Sequence, residues 1–274
     1  MPKLRPLVAL LAAKAALGGC SSNPAPPAAF HEDFEGYQAG QVSGAVWAVE
    51  TSPGATVAVD TSQARSGGKS VRLHTPAGIG TKTAFIRLAR AGGLPAAGNA
   101  FFGRMMVRLE SAPDASDPAV HWTFIQAGGV VPGKTYRALY RYGGQHPVTD
   151  GSRFVGNQLM ANYETPDWYD GVGPGSDCWQ HANRVVVPVR RWVCVEWQVD
   201  GPADSMRFWL DGAPVESLTV SGTGQGCVNQ PSDYRWTAPA FEHVDLGWQS
   251  YQSDAARTVW LDDVAIARVR IGCP

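Results

Sequence analysis

Five side chains of this 274-residue chain, Arg104, His121, Gln126, Asn162 and Tyr163, are of the types that can remove a proton beside a carboxylate. Such a β-elimination needs a donor to neutralise the carboxylate, a base for the acidified α-proton and an acid for the departing oxygen. Arg104, Gln126 and Asn162 suit the first role, and His121 and Tyr163 suit the other two, with no cofactor required. Glycoside hydrolysis would instead need two carboxylates, one as nucleophile and one as acid. Glu196 and Asp200 in VEWQVD come closest, four apart on one strand with no third acid, so that chemistry ranks low.

Strands must position these groups, because successive side chains on a strand point to opposite faces. Phe101 to Glu110 divides into Phe101, Met105, Val107 and Leu109 on one face and Arg104, Met106, Arg108 and Glu110 on the other. Gln158 to Glu164 places Gln158, Met160, Asn162 and Glu164 opposite Tyr163. In Val120 to Ala127 the spacing of five sets His121 and Gln126 on opposite faces unless a bulge intervenes. His243, Asp245, Gln249 and Tyr251 share a face of a late strand and form a further polar set. After Glu164 comes TPDWYDGVGPGSDCW, read as a long loop whose Trp168, Tyr169 and Trp179 can contact a ligand, with Arg108 and Glu164 as further contacts.

The frame around these strands is all-β. The stretch RWVCVEWQVDGPADSMRFWLDGAPVESL, Arg191 to Leu218, alternates aromatic and β-branched residues and breaks at Asp211-Gly212, a strong hairpin pattern. Alternating runs recur every ten to twenty residues, including Val215 to Val220, Arg184 to Val189 and Thr258 to Arg270, and no segment keeps a helical period. With 31 Gly, 20 Pro and only 17% charged residues, the chain reads as a two-sheet antiparallel β-sandwich or jelly roll. A net charge of -1 argues against a nucleic-acid partner, which needs a basic surface. Trp192, Trp197, Trp209 and Trp260 sit in alternating strands and are expected in the core.

The first residues carry an export pattern: basic Lys3 and Arg5, a short apolar run from Leu7 to Leu17, then Leu17-Gly18-Gly19-Cys20. This resembles the lipobox of bacterial lipoproteins. It implies a signal peptide over 1–19, lipidation of Cys20, a tether over 20–30 and one domain over 31–274. The anchor would be the only membrane contact, holding the domain at the bacterial envelope, at the outer membrane by expectation, with free secretion as the alternative. Four cysteines remain, allowing three pairings. Cys178 and Cys227 are read in Gly-rich loops and Cys194 and Cys273 in or beside strands. The preferred pairing is loop with loop and strand with strand, with a free Cys194 as the alternative.

His31 to Gly36 (HEDFEG), the ARSGGKSVRLHT segment, the Trp192 to Leu218 hairpin and the closing VWLDDVAIA together resemble the concanavalin A-like lectin/glucanase superfamily. Within it the chain is most similar to Cip1-like secreted proteins and jelly-roll polysaccharide lyases of the glucuronan type. The resemblance implies a concave groove for an extracellular polysaccharide and makes β-elimination of a uronate polymer the leading activity. Non-catalytic, lectin-like carbohydrate binding is the alternative, and a structural envelope protein with a vestigial groove is a third. It also implies an optional structural calcium near the first and last strands, with Glu35 and Asp263 as carboxylate ligands and Ser66 close by. Lys69 stands where an oxygen ligand would be expected, and its ammonium could pair with both carboxylates in place of the ion. A monomer is expected.

Overall fold

The computed structural model describes residues 30–42, 44, 46–88, 93–94, 96–165 and 173–274. The export signal, Cys20, the tether up to residue 29, Trp168 and Tyr169 lie outside the described residues, and Phe30, expected at the end of the tether, opens the first strand. In chain order the strands are β1 (Phe30–Glu32), β2 (Trp47–Thr51), β3 (Thr56–Asp60), β4 (Ser70–Thr75), β5 (Lys82–Leu88), β6 (Ala100–Leu109), β7 (Trp122–Val130), β8 (Arg137–Asp150) and β9 (Arg153–Thr165). They continue with β10 (Ser176–Val186), β11 (Trp192–Asp200), β12 (Ser205–Leu210), β13 (Ala213–Pro214), β14 (Val220–Ser221), β15 (Gly226–Val228), β16 (His243–Ser250) and β17 (Arg257–Ala267). The chain is a β-sandwich, as the alternation predicted. A nine-stranded sheet runs β13-β12-β11-β6-β17-β4-β3, with β1 on β17 and β14 on β12. An eight-stranded sheet runs β15-β10-β9-β8-β7-β16-β5-β2.

Large side chains from the inner faces fill the space between the sheets. Trp122 of β7 stacks on Trp248 of β16 at 4.7 Å, and Phe124 meets Phe208 of β12 across the interface. Trp197 of β11 lies where Gly103 of β6 leaves room; a Cβ at Gly103 would stand 2.1 Å from its ring. Truncating one of these fully buried indoles would cost about 3–5 kcal/mol. Trp209 and Trp260, by contrast, lie on the outer face of the nine-stranded sheet, with Arg270 at 4.8 Å and Arg108 at 5.8 Å from their rings.

The long hairpin forms as read: β11 pairs with β12, and Asp211 and Gly212 turn into β13 with φ of 49° and 81°. Positive φ at both central residues is what a two-residue hairpin turn requires. Boundaries differ from expectation in several places: Arg184 to Val189 is strand only as far as Val186, and Thr258 to Arg270 only as far as Ala267. Glu216–Leu218 is a 3-10 turn in a segment expected to be strand, and β10 begins at Ser176, inside the segment expected to be loop. The disulfides pair Cys178 with Cys227 and Cys194 with Cys273. The first joins neighbouring strands β10 and β15; the second ties the C-terminal segment to the outer face of β11.

Arg104 and Arg108 share a face, as their spacing predicted, but it belongs to the nine-stranded sheet. Arg104 donates to the carbonyl of Gly272, and Arg108 lies over Trp260. Both are therefore on the sheet opposite His121, and neither joins its site. Alternation reveals the face of a strand and leaves open the sheet to which the strand belongs.

Candidate functional site

The outer face of the eight-stranded sheet carries the polar groups. Antiparallel register aligns Arg87 (β5), Asp245 (β16), Gln126 (β7), Arg141 (β8), Asn162 (β9) and Trp179 (β10) in one row across six strands. At the usual strand spacing of about 4.8 Å, the row is about 24 Å long. Asp177 and Glu164 form the neighbouring row on one side, and Met160 and His181 on the other.

A bulge makes this face continuous. The register of β7 against β8 shifts between Thr123 and Ile125, and β16 shifts against β7 between Leu246 and Gln249. Phe124 and Ile125 both enter the core, which leaves Thr123 and Gln126 outside. His121, just before β7, lies on the same side with its ring 4.9 Å from Tyr251. The expectation that His121 and Gln126 face oppositely is thus corrected: an extra residue resets the period of two.

Arg141 is the hub. Its Nη1 donates to Glu164 Oε2 and to the Tyr251 hydroxyl, while its guanidinium lies 5.5 Å from the Tyr251 ring centre. Tyr251 donates to Gln249 Oε1 at 2.6 Å, and Gln249 Nε2 donates to Thr83 at 2.9 Å. Burial pushes the Tyr251 phenol well above its usual range, so it stays protonated. Burial also raises Glu164; Arg141 opposes that shift and Asp177 adds to it. A second cluster lies further along the row. Arg87 grips Asp245 through Nε at 2.6 Å and Nη2 at 2.7 Å, and Gln126 Nε2 donates to Asp245 at 2.5 Å. His243 Nε2 stands 3.7 Å from the same carboxylate.

Over the β8–β10 side lies a cavity of about 350 Å³, lined by His121, Gln145, His146, Met160, Asn162, Asp177, Trp179, His181, Val228 and Gln252. Gln145 and His146 belong to an irregular part of β8, where the register with β9 shifts between Gly144 and Pro147 and His146 has a φ of 70°. A non-glycine residue in the left-handed region is a local strain of the kind that gathers at functional sites. His121 is 8% exposed, and its Nε2 has no hydrogen-bond partner. Burial, followed by the charges of Arg141, His181 and His146, holds this imidazole down at about 3, so it is neutral at physiological pH.

The structure brings His121, Gln126, Asn162, Glu164, His243, Gln249 and Tyr251 onto this one face. It removes Tyr163, whose fully buried ring stacks on Trp236 at 5.9 Å in the core. A phenol is nevertheless present, supplied by Tyr251. Trp179 belongs to β10 and not to a loop. Arg141, Asp177, His146, His181 and Gln252 were not singled out from the sequence. Alternation in RALYRY already sets Arg141 opposite the core residues Tyr140 and Tyr142, and SDCWQH sets Asp177, Trp179 and His181 on one face. His146 and Gln252 carried no comparable pattern.

Near the first and last strands, the Lys69 ammonium donates to the carbonyls of Glu35 at 2.8 Å and Tyr37 at 2.7 Å. The Glu35 carboxylate accepts the backbone N–H of Gly68 and Lys69, and Asp263 accepts the Ser66 hydroxyl at 2.9 Å. Lys69 therefore reaches main-chain oxygens and not the two carboxylates it was expected to pair with. An ammonium thus sits on two main-chain oxygens, a ligand type calcium requires, at the place where a further oxygen ligand was expected, so the residues present do not fit the ion. Among the described residues, no three His, Cys, Asp or Glu side chains converge to hold a metal.

A family profile described as polysaccharide lyase-like, Cip1-like core domain, matches residues 33–269. Among solved structures, a cellulose-induced protein, Cip1, aligns with a TM-score of 0.58 at 24% identity, covering 89% of this chain and 100% of its own. An endo-β-1,4-glucuronan lyase from the fungus Trichoderma reesei aligns with a TM-score of 0.57 at 16% identity, covering 89% and 96%. Among curated proteins, none matches this sequence. At these identities the two structures establish a shared fold.

Proposed function

This chain belongs to the Cip1-like core-domain family of polysaccharide lyase-like proteins, and we propose that it cleaves a uronate-containing polysaccharide by β-elimination on the eight-stranded sheet. The observation that carries the proposal is an unpartnered imidazole that lines the cavity and packs on a protonated phenol, which in turn lies against a buried guanidinium.

The roles follow from hydrogen bonding. Gln252 Oε1 accepts the backbone N–H of His121 at 2.8 Å, which fixes that atom as oxygen and leaves the amide hydrogens free beside His121. They would hold the uronate carboxylate, with the Arg141 charge in support. His121 Nε2 takes the C5 proton; the arriving carboxylate favours the imidazolium and so strengthens this base. The released electron pair becomes the C4–C5 double bond as the C4–O bond breaks, and the departing oxygen takes the Tyr251 proton. Proton return from the imidazolium to Tyr251, whose ring it adjoins, resets the site.

The assay supplies uronate polymers to the purified protein and follows ultraviolet absorbance of the unsaturated product. His121→Gln and Tyr251→Phe should each lower turnover by about 10²–10⁴-fold with folding intact. No product from any uronate polymer, together with glycan retention on an affinity gel, would establish the second reading, non-catalytic carbohydrate binding. That reading draws on Trp179, an indole at the cavity on which a sugar ring could stack. Two disulfides suit an oxidising compartment, and among the described residues no helix is long and apolar enough to cross a membrane. Export with a lipid anchor at Cys20 is part of the proposal.

A further inference from the structure

The amide of Asn162 is fully specified by its neighbours. Its Nδ2 donates to Asp177 Oδ1 at 2.7 Å and to the carbonyl of Cys178 at 2.6 Å, both of them acceptors. Both amide hydrogens are therefore used, and Asn162 Oδ1, buried and without a partner, is left over. Asn162 cannot neutralise a carboxylate; it can only accept a hydrogen bond.

His181 repeats the pattern by a different route. Its backbone N–H donates to Gln225 Oε1 at 3.0 Å, which identifies that atom as the oxygen, and His181 Nδ1 lies 3.2 Å from it. Nδ1 must then carry the ring proton, and Nε2 is an unprotonated lone pair, buried and without a partner. Gln126, two strands from Asn162, is held the same way: its NH₂ goes to Asp245 and its Oε1 is orphaned. Around these acceptors, Arg87 and Arg141 are matched against four carboxylates, Glu50, Asp245, Glu164 and Asp177. A polyanion laid along the row would find few free donors and an excess of negative charge. Gln252, beside His121, turns free amide hydrogens outward.

We infer that the site reads hydroxyl donors of neutral sugars at Asn162 and His181 and accepts a uronate only beside His121 and Gln252, so its substrate is a heteropolymer with uronates separated by neutral sugars. A sugar hydroxyl supplies the hydrogen that each orphaned acceptor lacks, whereas a second carboxylate would meet lone pairs. The inference rests on the proposed elimination for the place of the uronate, and its acceptor pattern can be measured without turnover.

The test is affinity electrophoresis in gels containing a rhamnogalacturonan backbone, glucuronan or alginate at low ionic strength, run beside the product assay. The rhamnogalacturonan, whose uronates are linked through O4 within the chain and separated by neutral sugars, should be bound at least tenfold more tightly than either homopolyuronate. His181→Phe, which keeps a ring and removes Nε2, should erase that preference without moving the melting midpoint; Asn162→Leu should also erase it, with a lowered midpoint because Asp177 and the Cys178 carbonyl lose their donor. Equal or tighter binding of a homopolyuronate by the wild type, or an unchanged preference in a folded His181→Phe variant, would overturn the inference. Preference without any unsaturated product would retire the elimination reading and leave this one standing. Product formed with a homopolyuronate preferred would do the reverse.

Discussion

The outer faces of the two sheets carry the same kinds of side chain, arginine, tryptophan and carboxylate, yet among the described residues only one of them is left open by the rest of the chain. On the nine-stranded sheet the C-terminal segment lies across the face. Arg270 covers Trp209 and bonds Glu196, the backbone N–H of Gly272 donates to Glu196, and Cys273 is tied to Cys194. The orphaned polar atoms there include Nε of Arg104 and of Arg108, and Arg108 lies over the Trp260 indole. On the eight-stranded sheet no segment of the described chain closes the cavity, and the orphaned atoms include acceptors on Asn162, Gln126 and His181. Guanidinium groups are therefore not evidence of an anion site until their partners are counted. Arg87 and Arg141, the best-placed cations on the binding face, are both held by carboxylates.

The sharpest way to probe this contrast is to remove its hub. Arg141→Met leaves Glu164 buried without its cation and should destabilise the fold by about 3–5 kcal/mol. Adding Glu164→Gln should recover much of that loss, a coupling that urea titration of the four proteins would show. Additive effects would mean that the pair is not the organising contact of this face. Next comes the opposite sheet. Replacing Cys194 and Cys273 by Ser opens a link spanning 79 residues and should cost about 2–4 kcal/mol in melting experiments. Glycan preference should not change; a change would show that the two faces are coupled through the core.

The pH responses of the two faces should have opposite signs. His121 is held at about 3 against 6.5 in the unfolded chain. Between those values the unfolded chain binds a proton that the folded site refuses, so this contribution is complete above 6.5 and lost as pH falls toward 3. Asp262, on β17 of the nine-stranded sheet, is raised by burial to about 6 from 3.8, against the pull of the Ser66 and Arg65 backbone donors. Its contribution falls as pH rises from 3.8 to about 6. Melting midpoints of His121→Gln across the acidic window should show a shallower loss on acidification than the wild type. A slope identical to the wild type would place the site's acid sensitivity on His181 or His243, which burial also lowers. The smallest effect belongs to the hairpin turn. Gly212→Ala, at a φ of 81°, should cost about 1 kcal/mol and leave binding unaltered.

Much of the site's geometry was legible, strand by strand. Asn162 and Glu164 fell on one face and Tyr163 on the other, as the structure has them, but alternation does not say which face is the core. Tyr163 went inward because Tyr140 and Trp236 pack against it. The placement of His121 with Gln126 depended on a one-residue bulge in β7, where Trp122 packs on Trp248, Phe124 on Phe208, and Ile125 also turns inward, and the period of two does not reveal it. Arg141 was readable from RALYRY and was passed over, because its role appears only once Glu164 and Tyr251 are beside it.

By itself the sequence determined the all-β class, the Asp211-Gly212 hairpin and which residues of a regular strand share a face, and it favoured the cysteine pairing that forms. These are local properties: a period of two, a turn that needs positive φ, and thiols grouped by their immediate surroundings. The tertiary structure alone decided that Arg104 and Arg108 lie on the far sheet and that Arg141 and Tyr251 join His121. It also decided that Asn162 offers an oxygen where the reaction had seemed to want a donor. Sheet membership is fixed by contacts between residues far apart in the chain, and an amide's orientation by the partners those contacts bring to it.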